Sequence, residues 1–240
     1  MITTELRRPG VRPNVVAIFS FRHDAHLVPD LIANIAPIVD GWIAWDDTAS
    51  TAFFSNEWDR RRALIETALG LGARWILALD PDERVERRVA DRMARLTRAA
   101  EPTAWLFWLR EMYAPDRFRV DGLWRKKEQA RLLSLHEGMN FDLPALHAPW
   151  QAIHPAYRLR RTRCSIYHLK MIAPARRTGR RDLYKALDPD GRYQAMGYDY
   201  LADERSLRLK RVSRRHEYLP QHHDDGGLWM PDPQRAQAPE

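Results

Sequence analysis

Asp80 and Asp82 stand two residues apart in Asp80-Pro81-Asp82-Glu83, directly after the apolar run Trp75-Ile76-Leu77-Ala78-Leu79. Two carboxylates so spaced at the exit of a buried strand can hold a hard divalent cation, Mg²⁺ or Mn²⁺, which prefers oxygen ligands and commonly bridges to substrate phosphates. The competing reading is structural, since Asp-Pro is a good turn after a strand. A bare D-x-D arises often by chance; a second acidic loop one strand earlier, Asp46-Asp47-Thr48-Ala49-Ser50-Thr51, adds weight to the chemical reading. A carboxylate there can accept hydrogen bonds from a nucleobase or ribose, or close an Asx-type turn. The residues alone leave both open. The third feature is Ile166-Tyr167-His168-Leu169-Lys170, followed by Arg176, Arg177, Arg180 and Arg181. The guanidinium is a planar fork suited to phosphate oxygens. Such a cluster expects an anionic partner, whether nucleic acid, nucleoside diphosphate or lipid headgroup, or else forms a solvated basic surface.

The elements that must position these residues follow from apolar periodicity. Val15–Phe19, Trp42–Trp45 and Trp75–Leu79 are short apolar runs of strand length. Between and after them, 27–38, 57–71 and the set Val85, Val89, Met93 and Leu96 carry helical spacing. Pro29 is tolerated in a first turn, and Gly70 and Gly72 mark a helix end. Strand alternating with helix over the first 100 residues predicts an α/β layer with a parallel sheet. In such sheets ligands bind beyond the carboxyl ends of the strands, which is where both acidic loops fall. Farther on, 105–109, 130–135 and 164–167 read as strands, 113–124 as a hairpin or flap, and 173–185 as a helix. On that helix Arg177, Arg181 and Tyr184 fall near one face, with Arg176 and Arg180 adjacent. This divides the chain into a loose lead-in (1–13), an α/β half (14–100), a second half of the same domain (101–219) and a flexible tail (220–240).

The 240 residues include 39 Lys and Arg against 32 Asp and Glu, a formal net charge of +7. With 45% hydrophobic residues the chain can bury a substantial core, and disorder is excluded. The single cysteine, Cys164, excludes an intrachain disulfide framework and points to a reducing compartment. No apolar stretch approaches the ~20 residues that span a bilayer, and Arg7 and Arg8 are not followed by a signal-type apolar region. The expected location is the cytoplasm, with peripheral contact to the inner face of a membrane open. There is no G-x-G-x-x-G, no P-loop, no H-E-x-x-H and no paired C-x-x-C, so dinucleotide redox, P-loop and zinc-finger chemistries lose support.

The order Val15-Val16-Ala17-Ile18, then Trp42 to Thr51, then Trp75 to Glu83 resembles the family 2 glycosyltransferases, whose pattern is a strand ending in Asp-Asp-Gly-Ser-Thr and a later strand ending in Asp-x-Asp-Glu. The match runs over residues 14–100, and Trp124-Arg125 with Ala130-Arg131-Leu132-Leu133 resembles the acceptor-side segment of bacterial members. The resemblance implies one glycosyltransferase A-type domain: α/β, with a mixed, mostly parallel central sheet flanked by helices. It implies transfer of a sugar from a nucleoside-diphosphate sugar to a hydroxyl of a glycan, lipid-linked or small-molecule acceptor, with inversion, as in bacterial glycan biosynthesis. Asp46 or Asp47 would then contact base or ribose. Asp80 and Asp82 would carry the metal, Mn²⁺ or Mg²⁺, and the donor diphosphate. His168 fits the place of the histidine that completes the metal shell in many enzymes of this fold. Arg176, Arg177, Arg180 and Arg181 could clamp the diphosphate.

This chain departs from the pattern twice. Thr48-Ala49 replaces the glycine of the first motif, and Ala148 follows His147 where many bacterial relatives have glutamate. The base that takes the acceptor proton is therefore open among Asp142, Glu111 and His147. Trp105, Trp108, Tyr113 and Trp124 could form a sugar-stacking wall, though aromatics in strands more often serve the core. His222-His223-Asp224-Asp225 sits in the expected tail and reads as incidental. Two rivals remain: a metal-dependent nucleotide phosphohydrolase or nucleotidyltransferase sharing the same side chains, and a basic nucleic-acid-binding protein. The latter leaves Asp46, Asp47, Asp80 and Asp82 unexplained, so no nucleic acid is expected. A non-catalytic relative is a further possibility, given the missing glutamate.

Overall fold

The structure, a computed structural model, describes residues 1–50, 57–141, 149–192 and 194–220. Among these described residues ten strands run in chain order: β1 Ile2–Leu6, β2 Val15–Phe21, β3 Gly41–Asp46, β4 Trp75–Ala78, β5 Glu83–Val85, β6 Thr103–Ala114, β7 Arg117–Arg119, β8 Glu128–Ser134, β9 Arg158–His168 and β10 Leu209–Arg211. Four α-helices join them: α1 Val28–Ile35, α2 Glu57–Gly70, α3 Arg88–Leu96 and α4 Pro174–Leu187. The strands form one mixed sheet in the order β1-β3-β2-β4-β8-β6-β7-β10, with β9 on the other side of β6 and β5 on β9.

The core lies on both faces of this sheet because β4 is apolar at every position and β2 is apolar from Val15 to Phe19. Val15, Ala17 and Phe19 of β2 and Trp75 and Leu77 of β4 point to one face, where α1 and α3 add Leu31, Ile35, Val89 and Met93. Val16, Ile18, Ile76 and Ala78 point to the other, against Trp58, Leu64, Ile65 and Ala68 of α2. Each large side chain fully buried this way contributes about 1.5–3 kcal/mol. α2 ends as its glycines require. Gly72, at φ +69°, takes the left-handed conformation, and the Ala73 and Gly72 N–H groups donate to Ala68 and Leu69 carbonyls at 3.0 and 2.8 Å, a Schellman closure.

Three expectations need correction. The sheet is not mostly parallel: β3-β2-β4 and β6-β9 are parallel, while six of the nine pairings are antiparallel. Helical crossovers connect only the first three strands of the α/β half; after β4 the sheet is extended through β8, which runs back against it. The lead-in is not loose, since β1 pairs antiparallel with β3 from Ile2↔Trp45 to Leu6↔Gly41. Its side chains are almost all exposed, so no apolar pattern announced it. Val85 does not start a helix. It belongs to β5, bound by the Asn34 side chain: Asn34 Nδ2 donates to the Val85 carbonyl at 3.1 Å and the Val85 N–H to Asn34 Oδ1 at 2.6 Å. The buried Arg84 fixes the preceding loop, donating to the carbonyls of Pro81 and Glu83 at 2.7 and 2.8 Å and of Leu27 at 3.2 Å. Among the described residues no helix is long and apolar enough to cross a membrane.

Candidate functional site

Beyond the carboxyl ends of β2, β3 and β4 lies a cleft of about 800 Å³. Asp47 enters it after β3 and Asp80 and Asp82 after β4, while His168 comes from the end of β9 and Arg176 and Arg180 from α4. Sheet register brings His168 to this place. It pairs with Glu83 of β5 on one side and Glu111 of β6 on the other, and directly paired residues project to the same face. The Leu169 N–H then donates to the Asp82 carbonyl at 2.8 Å, extending the β5–β9 contact into the acidic loop.

Asp80, Asp82 and His168 can each offer one ligand atom, all within 4.8 Å of one another. Asp82 Oδ1 lies 3.2 Å from His168 Nε2 and Asp82 Oδ2 lies 3.6 Å from Arg176. Asp80 is half exposed to the cleft and lies 3.3 Å from Arg131 of β8. Arg131 is itself buried and paired with Glu83. Behind His168, its Nδ1 faces Glu111 at 3.2–3.3 Å, and Glu111 Oε1 accepts from Lys127 Nζ at 2.7 Å.

These neighbours decide the charge states. Burial works against an ionised Asp82, but His168, Arg176 and Arg180 outweigh it and hold the carboxyl well below the usual range. Burial and Lys170 push His168 down, yet Glu111 and Asp82 prevail and its pKa is raised. Asp24, in the loop after β2, is raised by burial and by the nearby charges of Asp82 and Asp80. Lys170 is lowered, by burial first and by Arg180 and Lys127, against the pull of Glu111. Tyr184 is lowered by the Arg180 guanidinium, which donates to its hydroxyl at 3.3 Å.

Asp80, Asp82, His168, Arg176, Arg180 and Asp47 come together in the cleft. Asp46 does not line it; its Oδ1 accepts from the Thr48 N–H at 2.9 Å and the Thr48 hydroxyl at 2.6 Å, the Asx-type turn. Arg177 turns the other way, donating to the Met171 carbonyl at 2.5 Å and pairing with Glu204 at 2.6 Å. Arg181 pairs with its neighbour Asp182 at 2.7 Å. The face of α4 that meets the cleft is Arg176-Arg180-Tyr184, one turn apart each, rather than Arg177-Arg181-Tyr184. Glu111 is buried outside the cleft lining, and Asp142 and His147 lie outside the described residues, as do His222 to Asp225. None of Trp105, Trp108, Tyr113 and Trp124 lines the cleft; Tyr113 and Trp124 are buried, and the Trp105 indole donates to the Leu96 carbonyl at 3.0 Å.

Sequence reasoning passed over Asp24 and Lys127, and it gave no role to Lys170, named beside His168, or to Tyr184, named on the arginine helix. Asp24 had a signal, since Phe21-Arg22-His23-Asp24 follows the first parallel strand just as the acidic loops follow the next two. Lys127 depends on strand pairing and had none, whereas Lys170 and Tyr184 stood within the segments of His168 and Arg180. No protein-family model matches the chain, and no curated protein is similar to it.

The donor set fits a divalent cation of the Mn²⁺ or Mg²⁺ kind. Two carboxylates supply hard oxygens, and the imidazole favours Mn²⁺ of the two. Asp80, exposed and facing the cleft, leaves a path of entry.

Proposed function

We propose that this chain is a metal-dependent glycosyltransferase that takes a sugar from a nucleoside-diphosphate sugar, with inversion, and passes it to an acceptor hydroxyl. One observation carries the reading. At the carboxyl edge of the parallel strands, carboxylates suited to a cation stand beside arginines suited to a diphosphate, in a cleft of about 800 Å³. Separate acidic and basic groups within one cleft are what a cation and a phosphorylated substrate, bound together, require.

Asp80, Asp82 and His168 would hold the cation, which would supply Lewis-acid stabilisation of charge on the departing diphosphate. Arg176 and Arg180 reach phosphate oxygens from the other side and stabilise the same charge. Asp47 offers an acceptor for a ribose hydroxyl or a base N–H. The acceptor proton goes to Asp24, whose raised pKa favours holding it, or to Asp142 or His147, which lie outside the described residues. A cytoplasmic chain acting on a glycan, lipid-linked or small-molecule acceptor agrees with this reading.

The exposed arginines of β9 give the nucleic-acid reading less support than their number implies. Arg158, Arg160 and Arg161 of β9 are exposed, but the first two pair with Glu101 and the third with Glu128. The test is thermal unfolding against a panel of nucleoside diphosphates and nucleotide sugars with and without Mn²⁺, since a ligand bound only by the folded chain raises its stability. One nucleotide giving a Mn²⁺-dependent shift, followed by appearance of a glycosylated acceptor, is the expected result. Release of phosphate or pyrophosphate without glycosyl transfer would shift the reading to a hydrolase or nucleotidyltransferase. A shift with RNA or DNA alone would refute it.

A further inference from the structure

We propose that Glu111 is a positioning residue for the cation site: it holds the His168 ring by accepting from Nδ1–H, so that Nε2 is presented to the cation beside Asp82. The inference rests on the metal reading above and adds a residue that never touches the cation or the substrate. The sequence offered Glu111 as a base, but the structure places it one sheet position behind the histidine.

Three observations converge. Glu111 and His168 are paired across β6 and β9, so the backbone fixes both Cα positions and the two side chains share one face. The ring then spans two carboxylates, with Nδ1 at 3.2 Å from Glu111 Oε2 and Nε2 at 3.2 Å from Asp82 Oδ1. An imidazole bound at both nitrogens cannot flip without losing both contacts. Finally, Glu111 is almost fully buried, and its carboxylate is held in turn by Lys127 at 2.7 Å. Burying a carboxylate costs free energy unless it is paired. Lys127 meets that cost on one oxygen, and the other lies toward the histidine with no fully formed hydrogen bond of its own. A histidine ligand whose second nitrogen donates to a carboxylate is fixed in tautomer and orientation, and losing such a partner typically weakens a metal site about 10–100-fold.

Glu111→Ala and Glu111→Gln separate positioning from plain structural support. Both leave Lys127 without its carboxylate, so the loss of that ion pair is common to the two. Only Gln keeps an oxygen that can accept from Nδ1–H. Mn²⁺ affinity, read by the loss of the free-ion electron paramagnetic resonance signal with no nucleotide present, is expected to fall about 10–100-fold in Glu111→Ala and only a few-fold in Glu111→Gln. Equal losses in the two variants, or no loss in either, would overturn the positioning role. Wild-type chain that binds no Mn²⁺ would overturn the metal reading and this inference with it. Should Glu111→Ala not fold, nitrogen-15 spectra of histidine-labelled wild-type chain with Mg²⁺ decide the matter. A proton on Nδ1 of His168 supports the inference, and one on Nε2 instead overturns it.

Discussion

Asp80 and Asp82 differ sharply in surroundings, so replacing each by Asn should separate cation binding from stability. Asp82 is buried, and its carboxylate meets His168 at 3.2 Å and Arg176 at 3.6 Å. Removing one partner of a buried charge pair typically costs about 3–5 kcal/mol. Here Asn still accepts one hydrogen bond and His168 keeps Glu111, so the lower end, about 3 kcal/mol, is expected. For a chain of this size that is a fall in Tm of about 6–12 °C. The side chain of Asp80 is 51% exposed, and its partner Arg131 keeps Glu83; losing such a contact costs no more than about 1 kcal/mol. Mn²⁺ at a hundred times its Kd stabilises the wild-type chain by about 2.7 kcal/mol. If Asp80→Asn weakens binding tenfold to a hundredfold, about 0.4–1.4 kcal/mol of that remains at the same concentration. The assay is thermal unfolding of the three proteins with and without Mn²⁺. Asp80→Asn should unfold near the wild-type temperature without cation but lose about half or more of the Mn²⁺ shift, and Asp82→Asn should lose both. A full Mn²⁺ shift in Asp80→Asn would refute the ligand assignment. An unchanged Tm in Asp82→Asn would refute the charge network.

Two further outcomes follow from the same groups. The pKa of His168 is raised above 6.5 in the folded chain, so its stabilising contribution is complete below pH 6.5 and is lost as pH rises through the folded value. Mn²⁺ competes for the same nitrogen, so its affinity should rise over that interval while cation-free stability falls; Tm against pH with and without Mn²⁺ reads both, and parallel trends would contradict the assignment. Arg180→Ala should weaken binding of a nucleoside diphosphate about 10–100-fold, as loss of a charged hydrogen-bond partner does, whereas Arg181→Ala, whose guanidinium faces Asp182, should leave it unchanged; displacement of a fluorescent nucleotide compares the two.

The parts of the site legible in the sequence are those carried by short stretches of chain. The apolar runs before Asp46 and Asp80 gave away their strands because β3 and β4 send apolar side chains into the core on both faces, and strand ends are where an α/β sheet binds ligands. His168 was legible for the same reason, standing at the end of an apolar run. What brings His168 to Asp82 is the pairing of β9 with β5 and β6, Glu83↔His168 and Glu111↔His168, and pairing between residues so far apart in the chain leaves no local mark. The four arginines were left undivided for a different reason. Helical periodicity places Arg176 with Arg180 and Arg177 with Arg181, but which pair faces the cleft depends on how α4 lies against the sheet. Arg177 is drawn to the Met171 carbonyl and Glu204, neither of which a helical wheel contains. β1 escaped notice because strand pairing there uses backbone groups alone.

The charge arrangement also sets how cation and nucleotide must depend on each other. Without ligands, Asp82 is neutralised by His168 and Arg176, and Asp80 faces Arg131. A divalent cation entering alone meets carboxylates already engaged by positive groups, and it adds charge beside Arg176 and Arg180. A diphosphate entering alone meets the carboxylates. Each ligand supplies the charge that makes the other's site favourable, so binding should be cooperative. Coupling between two sites is reciprocal and typically amounts to about 1–3 kcal/mol, or 5–150-fold. Titration calorimetry of Mn²⁺ into the chain with and without saturating nucleoside diphosphate, and of the diphosphate with and without Mn²⁺, measures the factor twice, after correction for the Mn²⁺–nucleotide complex formed in solution. Equal enhancement in both directions is expected, and it should shrink in Arg176→Ala, where one of the competing positive groups is gone. Affinities independent of each other would mean that cation and phosphate occupy separate places, and the shared site would have to be abandoned.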